Sequence, residues 1–107
     1  MANMMKLMKQ AAAMQKDMER LQQELAEKTV DFASGGGVVK ATARGDGSIM
    51  AIKIAPSVID PSDPQLLEDM VLAAVNGAVT AAKEMASREM SKLTAGLGLP
   101  DVFGAKS

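Results

Sequence analysis

Residues 35–54 read GGGVVKATARGDGSIMAIKI, two apolar-alternating runs on either side of Gly45-Asp46-Gly47. Alternation with a period of two marks a half-buried strand, and Asp-Gly between two such runs is the strongest short-range hairpin signal. A two-residue turn at Asp46 and Gly47, both with positive φ, sets Arg44 against Ile49, Ala43 against Met50, Ala41 against Ile52 and Val39 against Ile54. One face then collects Val39, Ala41, Ala43, Met50, Ile52 and Ile54. The other carries Lys40, Thr42, Arg44, Ile49, Ala51 and Lys53. A three-residue loop would slip the register by one and put Lys53 opposite Val39, so the shorter loop is expected. A hairpin with one apolar face does not stand alone in water, and the long helical stretches before and after it are the candidate covers.

Working outward, residues 2–28 read as a long helix. Met4, Leu7, Ala11, Met14, Met18, Leu21 and Leu25 recur at spacings of three and four, a heptad-like stripe, and nothing in the stretch breaks a helix. The helix is longer than the hairpin can cover, so part of it projects or meets another helix. Packing or a coiled coil is the simpler reading of the Met-rich stripe, a promiscuous ligand groove the alternative. TVDFAS alternates and reads as a strand pairing with the hairpin across residues 35–37. That glycine triplet is a turn: no Lys-Ser/Thr follows it and no helix starts there, as a phosphate-cradling loop would require. Residues 55–63 form a connector in which Ser62 or Asp63 caps the next helix, with Pro64 in its first turn. The second helix covers residues 64–95. Its first half is apolar on most sides, which predicts burial against the sheet and a further partner, and Gly77 inside it suggests the close approach of another backbone. A flexible tail occupies residues 96–107. The expected class is α+β, a single domain over residues 1–107 with a three-stranded antiparallel sheet (about 29–54) flanked by the two helices.

The chain has 107 residues with 10 Met, two Phe and no Trp, Tyr, Cys or His, so its core must come from Met, Ala, Val, Leu and Ile. Without Cys there are no disulfides and no thiolate chemistry; without His as well, the usual zinc sites are excluded. Only carboxylates and lysines remain for catalysis and they form no recognisable pair, so no catalytic residue, cofactor or metal is assigned and an enzyme is not expected. Nothing resembles a secretory signal, and the longest apolar run, residues 70–75, is far too short to span a bilayer. A soluble cytoplasmic protein without a membrane partner is expected.

Charge is unevenly spread. Residues 1–16 carry Lys6, Lys9 and Lys16 and no acid; residues 83–95 carry Lys83, Arg88 and Lys92 against Glu84 and Glu89. Those windows sum to +4 and the remainder to −5, giving the overall −1. If the helices run antiparallel, their free ends are the start of the first and the end of the second, and Lys6, Lys9, Lys16, Arg88 and Lys92 are the candidate phosphate contacts. The competing reading, which spacing alone favours, is an ordinary solvated helix face with cations serving the helix dipole. Lys40, Arg44 and Lys53 on the strands are expected to stay solvated, since Lys40 and Lys53 face each other.

The segments NMMKLMKQAAAMQKDMERLQQEL, GGGVVKATARGDGSIMAIKIAPSVID, LLEDMVLAAVNGAVTAAKEM and LGLP, in that order, resemble the YbaB/EbfC family of bacterial nucleoid-associated proteins. The resemblance implies an α-β-β-β-α protomer that dimerises into a tweezer-like homodimer, resides in the cytoplasm at the nucleoid and binds DNA in chromosome organisation or gene expression. Low sequence selectivity is expected, because flexible lysines outnumber fork-shaped arginines in the candidate set. The alternative is a protein-interaction module whose Met-rich helices dock a partner from the DNA repair or recombination machinery.

Overall fold

The computed structural model describes residues 2–96. Helix α1 (Ala2–Glu27) leads into strand β1 (Thr29–Ser34), a 3-10 turn (Gly35–Gly37), strands β2 (Val39–Arg44) and β3 (Ile49–Ile54), a second 3-10 turn (Pro56–Val58) and helix α2 (Pro64–Gly96). The strands form one antiparallel sheet in the order β1-β2-β3. This is the expected α+β, α-β-β-β-α chain. Beyond residue 96, the expected tail lies outside the described residues.

The core is thin and made of small side chains. Val39, Ala41 and Ala43, alternating along β2, are fully buried under Ala74, Ala78 and Ala82 of α2. Those three alanines repeat every four residues and form one ridge of the helix. Small residues on both sides let the helix axis come close to the sheet, and larger side chains (Val30, Ile49, Leu67, Met70, Val71, Val75) close the margins. The end of β1 is tied to the same helix where Ser34 Oγ donates to the Met70 carbonyl at 2.7 Å. Helix α2 lies mainly over β1 and β2, so Met50, Ile52 and Ile54 of β3 stay exposed.

The hairpin departs from the two-residue expectation. Gly45, Asp46 and Gly47 form a three-residue loop: the Arg44 N–H donates to the Ser48 carbonyl and the Gly47 N–H to the Arg44 carbonyl, both at 2.8 Å. Only Gly47 needs the left-handed region, with φ 93°. Asp46 instead accepts from the Ser48 N–H at 2.9 Å and the Ser48 hydroxyl at 2.7 Å, an Asx turn that stiffens the loop. The slip expected of a longer loop is cancelled by a β-bulge: Ala43 pairs with Ile49, whereas Thr42 pairs with Ala51 and Val39 with Ile54. Met50 is the extra residue. Consequently Ile49 packs against the core and Met50 is 53% exposed, the reverse of the faces assigned by strict alternation.

Two glycines mark close approaches. Gly45 is buried, its N–H donates to the Lys28 carbonyl at 2.9 Å, and a Cβ there would stand 2.6 Å from the Leu25 carbonyl oxygen. The hairpin tip is thereby stitched to the exit of α1. At Gly77 the close neighbour is not a backbone, as expected, but the Phe32 ring of β1, which fills the space of a Cβ. At the start of α2, Asp63 is the cap, its carboxylate accepting the Leu66 N–H at 3.3 Å. Ser62 turns the other way and bonds Asp60.

Candidate nucleic-acid interface

Helix α1 divides into a docked half and a free half. Leu21 and Leu25 near the end of α1 are buried, Leu25 against Gly45 of the hairpin tip, and Lys28 Nζ lies 3.5 Å from Glu89 Oε2. In contrast, every residue from 3 to 13 is exposed. The first half of α1 is therefore an exposed arm.

Lys6, Lys9 and Lys16 all lie on α1 and all are exposed. At about 100° per residue they share a sector of roughly 80°, on the side of the helix opposite the Met4–Leu7–Ala11–Met14 stripe. No carboxylate among the described residues pairs with them. Arg20 falls in the same sector and extends the basic stripe toward the body, although Asp17 holds it at 3.1 Å. The charge count missed Arg20 because it grouped residues by stretch; reading the same residues around the helix finds it.

Arg88 and Lys92 sit apart from that stripe. They are exposed on one face of α2, but this end of α2 is docked rather than free. Glu89 is held by Lys28 and by Lys92 at 3.4 Å, and Thr94 in the last turn is buried. The hydrogen bond from Lys92, reinforced by the charge of Lys28, holds the Glu89 carboxyl below its usual pKa. Lys92 is thus partly neutralised, while Arg88 has no acidic partner among the described residues. Measured along α1 from Lys28, Lys16 lies about 18 Å away and Lys6 about 33 Å. Within one chain the five candidates therefore form two groups. On the sheet, Lys40 lies directly opposite Lys53 and 3.8 Å from Asp31, which also accepts from Thr42 Oγ1 at 2.6 Å.

Among the described residues no group of three or more His, Cys, Asp or Glu could hold a metal ion, and no helix is long and apolar enough to cross a membrane. The geometry defines a small α+β protein that carries an unpaired basic helix clear of a thin body. The chain belongs to the YbaB/EbfC DNA-binding family, which matches residues 1–97. It is similar to a nucleoid-associated protein of Pelotomaculum thermopropionicum (50% identity, covering 94% of this chain and 96% of that one). It is also similar to one of Ruminiclostridium cellulolyticum (51% identity, covering 94% and 89%). In fold it resembles the crystal structure of an uncharacterized protein from Helicobacter pylori, with a TM-score of 0.68, 21% identity and coverage of 85% of this chain and 91% of that one.

Proposed function

We propose that this chain is a nucleoid-associated protein that grips the DNA backbone as a homodimer, with low sequence selectivity, and so acts in chromosome organisation or gene expression. The observation that carries the reading is the exposed, unpaired stripe of Lys6, Lys9 and Lys16 on an arm held clear of an acidic body. Arg88 and Lys92 add a second, weaker contact near the root of the arm. Lysines on a solvated helix meet phosphates as point charges and read no base edges, so selectivity is low. Dimerisation would present two arms and double the charge. The uncovered apolar surfaces of β3 and α2 support it, and the names of the relatives support a place at the nucleoid.

Fluorescence anisotropy on a mixed-sequence duplex at 100 and 200 mM salt tests the proposal. Six lysine–phosphate contacts per dimer give a log–log slope of about −5, so doubling the salt weakens binding about thirtyfold. Replacing Lys6, Lys9 and Lys16 with Gln flattens the slope. Undetectable binding at 100 mM salt, or a slope that the triple variant leaves unchanged, would sink the reading. A second reading, docking of a DNA repair or recombination protein, draws on the exposed Met4, Met5 and Met8; a stoichiometric protein partner captured while DNA binding stays negligible would favour it.

A further inference from the structure

The face of the sheet turned away from α2 is uncovered and basic. Val39, Ala41 and Ala43 are buried under α2, so by the alternation of a strand Lys40, Thr42 and Arg44 take the other side. The register brings Asp31 of β1 and Lys53 of β3 onto that side with them. None of these five residues is buried. They set three cations against one carboxylate. We propose that this face is a second contact surface for the phosphate backbone of DNA, separate from the arm, through which the protein bridges two duplexes.

The placement of the charges selects an extended polyanion. Lys40 and Lys53 are direct cross-strand partners, an arrangement that costs stability when nothing neutralises it. Lys40 has one acid near it, Asp31 at 3.8 Å, and the other oxygen of that carboxylate is taken by Thr42 Oγ1 at 2.6 Å. Lys53 and Arg44 have no carboxylate partner among the described residues, and Arg44 donates to the Ser48 hydroxyl at 3.4 Å. A phosphate between the two lysines neutralises both. Arg44 lies four residues along β2 from Lys40, about 13 Å away, so it needs a second anionic group in the same ligand. A phosphodiester backbone supplies one and a lone phosphate does not. The apolar surfaces left open lie on the other side of the sheet, since Ile52 pairs with Ala41 and Ile54 with Val39. Pairing of two copies through them leaves the basic face free. The arm's lysines begin about 18 Å from Lys28 along α1, so the two groups are separate surfaces.

The inference rests on the arm's proposed grip on DNA, and two readouts on the full chain keep them apart. Anisotropy of one labelled duplex reports the grip; capture of a fluorescent duplex by an immobilised one reports bridging. The Lys40→Gln, Lys53→Gln double variant lowers capture about tenfold, while its affinity for a single duplex stays within about twofold of the parent. Its urea melt holds at or above the parent's, because a facing like-charged pair has been relieved. Removing the opposing charge with Asp31→Asn raises capture about threefold, the effect of one unit charge at contact distance in water. Misfolding does not produce such a gain. Capture that both variants leave unchanged overturns the proposal. So does a parallel fall in capture and anisotropy, which makes the face part of the arm's own contact. Single-duplex binding by the parent without capture overturns the bridging and leaves the arm's grip standing, whereas no single-duplex binding removes the grip and the bridging together.

Discussion

Replacing Gly45 with Ala tests whether the hairpin tip and α1 are held together as the structure indicates. The φ of Gly45 is not positive, so Ala can adopt the backbone conformation and would by itself stabilise slightly, by about 0.5 kcal/mol, through the unfolded chain. Sterics oppose this. The new Cβ would lie 2.6 Å from the Leu25 carbonyl oxygen, 2.9 Å from Leu25 Cδ2 and 3.0 Å from Leu25 Cβ. Two of those three atoms are backbone or Cβ and cannot swing aside, so hairpin and helix must separate. Separation stretches the 2.9 Å bond from the Gly45 N–H to the Lys28 carbonyl, worth about 1 kcal/mol. It also re-exposes part of Leu25, worth on the order of 1–2 kcal/mol. The net expectation is a loss of about 2 kcal/mol, or a fall in Tm of roughly 10 °C for a domain of this size. Urea and thermal melts at one fixed protein concentration measure it. Gly45→Ala within about 0.5 kcal/mol of the parent, inside the scatter of ordinary surface substitutions, would refute the close approach and with it the docking of the arm's root.

Other expectations follow from the core and the carboxylates. Ala78→Leu forces a branched side chain between α2 and β2, where both neighbours are fully buried; a loss of about 3 kcal/mol or more by urea melt is expected, and a neutral result would contradict the close packing. Hydrogen bonds from Ser48, Ser62 and Lys92 hold Asp46, Asp60 and Glu89 below their ordinary pKa values. A carboxyl with a lowered folded-state pKa contributes stability above its unfolded pKa and loses it as the pH falls through the folded one. Melting midpoints should therefore hold between neutral pH and about pH 5 and fall below about pH 4. The Asp46→Asn, Asp60→Asn double variant should show a shallower acid limb, and an identical limb would remove those turns from the account.

The register of the hairpin was legible although its loop was not. A three-residue loop and a one-residue bulge shift the pairing in opposite senses, so from Thr42 outward the partners are those of a two-residue turn without a bulge. The sequence does carry the trace: Ile49 and Met50 are adjacent apolar residues, which breaks strict alternation where the extra residue sits. Gly77 was legible as a close approach but not as to what approaches, because the Phe32 ring reaches it only through the β1–α2 packing. The charge on the arm could be read from the first 16 residues. The docking of the end of α2 could not, since the Lys28–Glu89 contact joins residues that no local pattern links. That contact turns what read as two projecting ends into one arm and one root.

The thinness of the core leads to a last expectation. Six residues make up the fully packed centre and five of them are alanine, so each contributes little apolar area. At the same time Met50, Ile52, Ile54, Leu66 and Leu72 remain open to solvent, and an open groove of about 500 Å³ runs along Leu67, Val71 and Val75 of α2. On the homodimeric reading, such a chain folds as it associates. If two bodies cover these surfaces, unfolding is also dissociation, and raising the concentration a hundredfold stabilises the dimer by about 2.7 kcal/mol. For a dimer of this size that lifts Tm by roughly 8 °C. Melts of the parent chain and of Leu7→Glu across that range make the comparison, and both should shift, because Leu7 lies on the arm and not on the body. A Tm independent of concentration in both proteins means that the single chain is stable alone, and the proposed homodimeric grip on DNA then lacks its second arm.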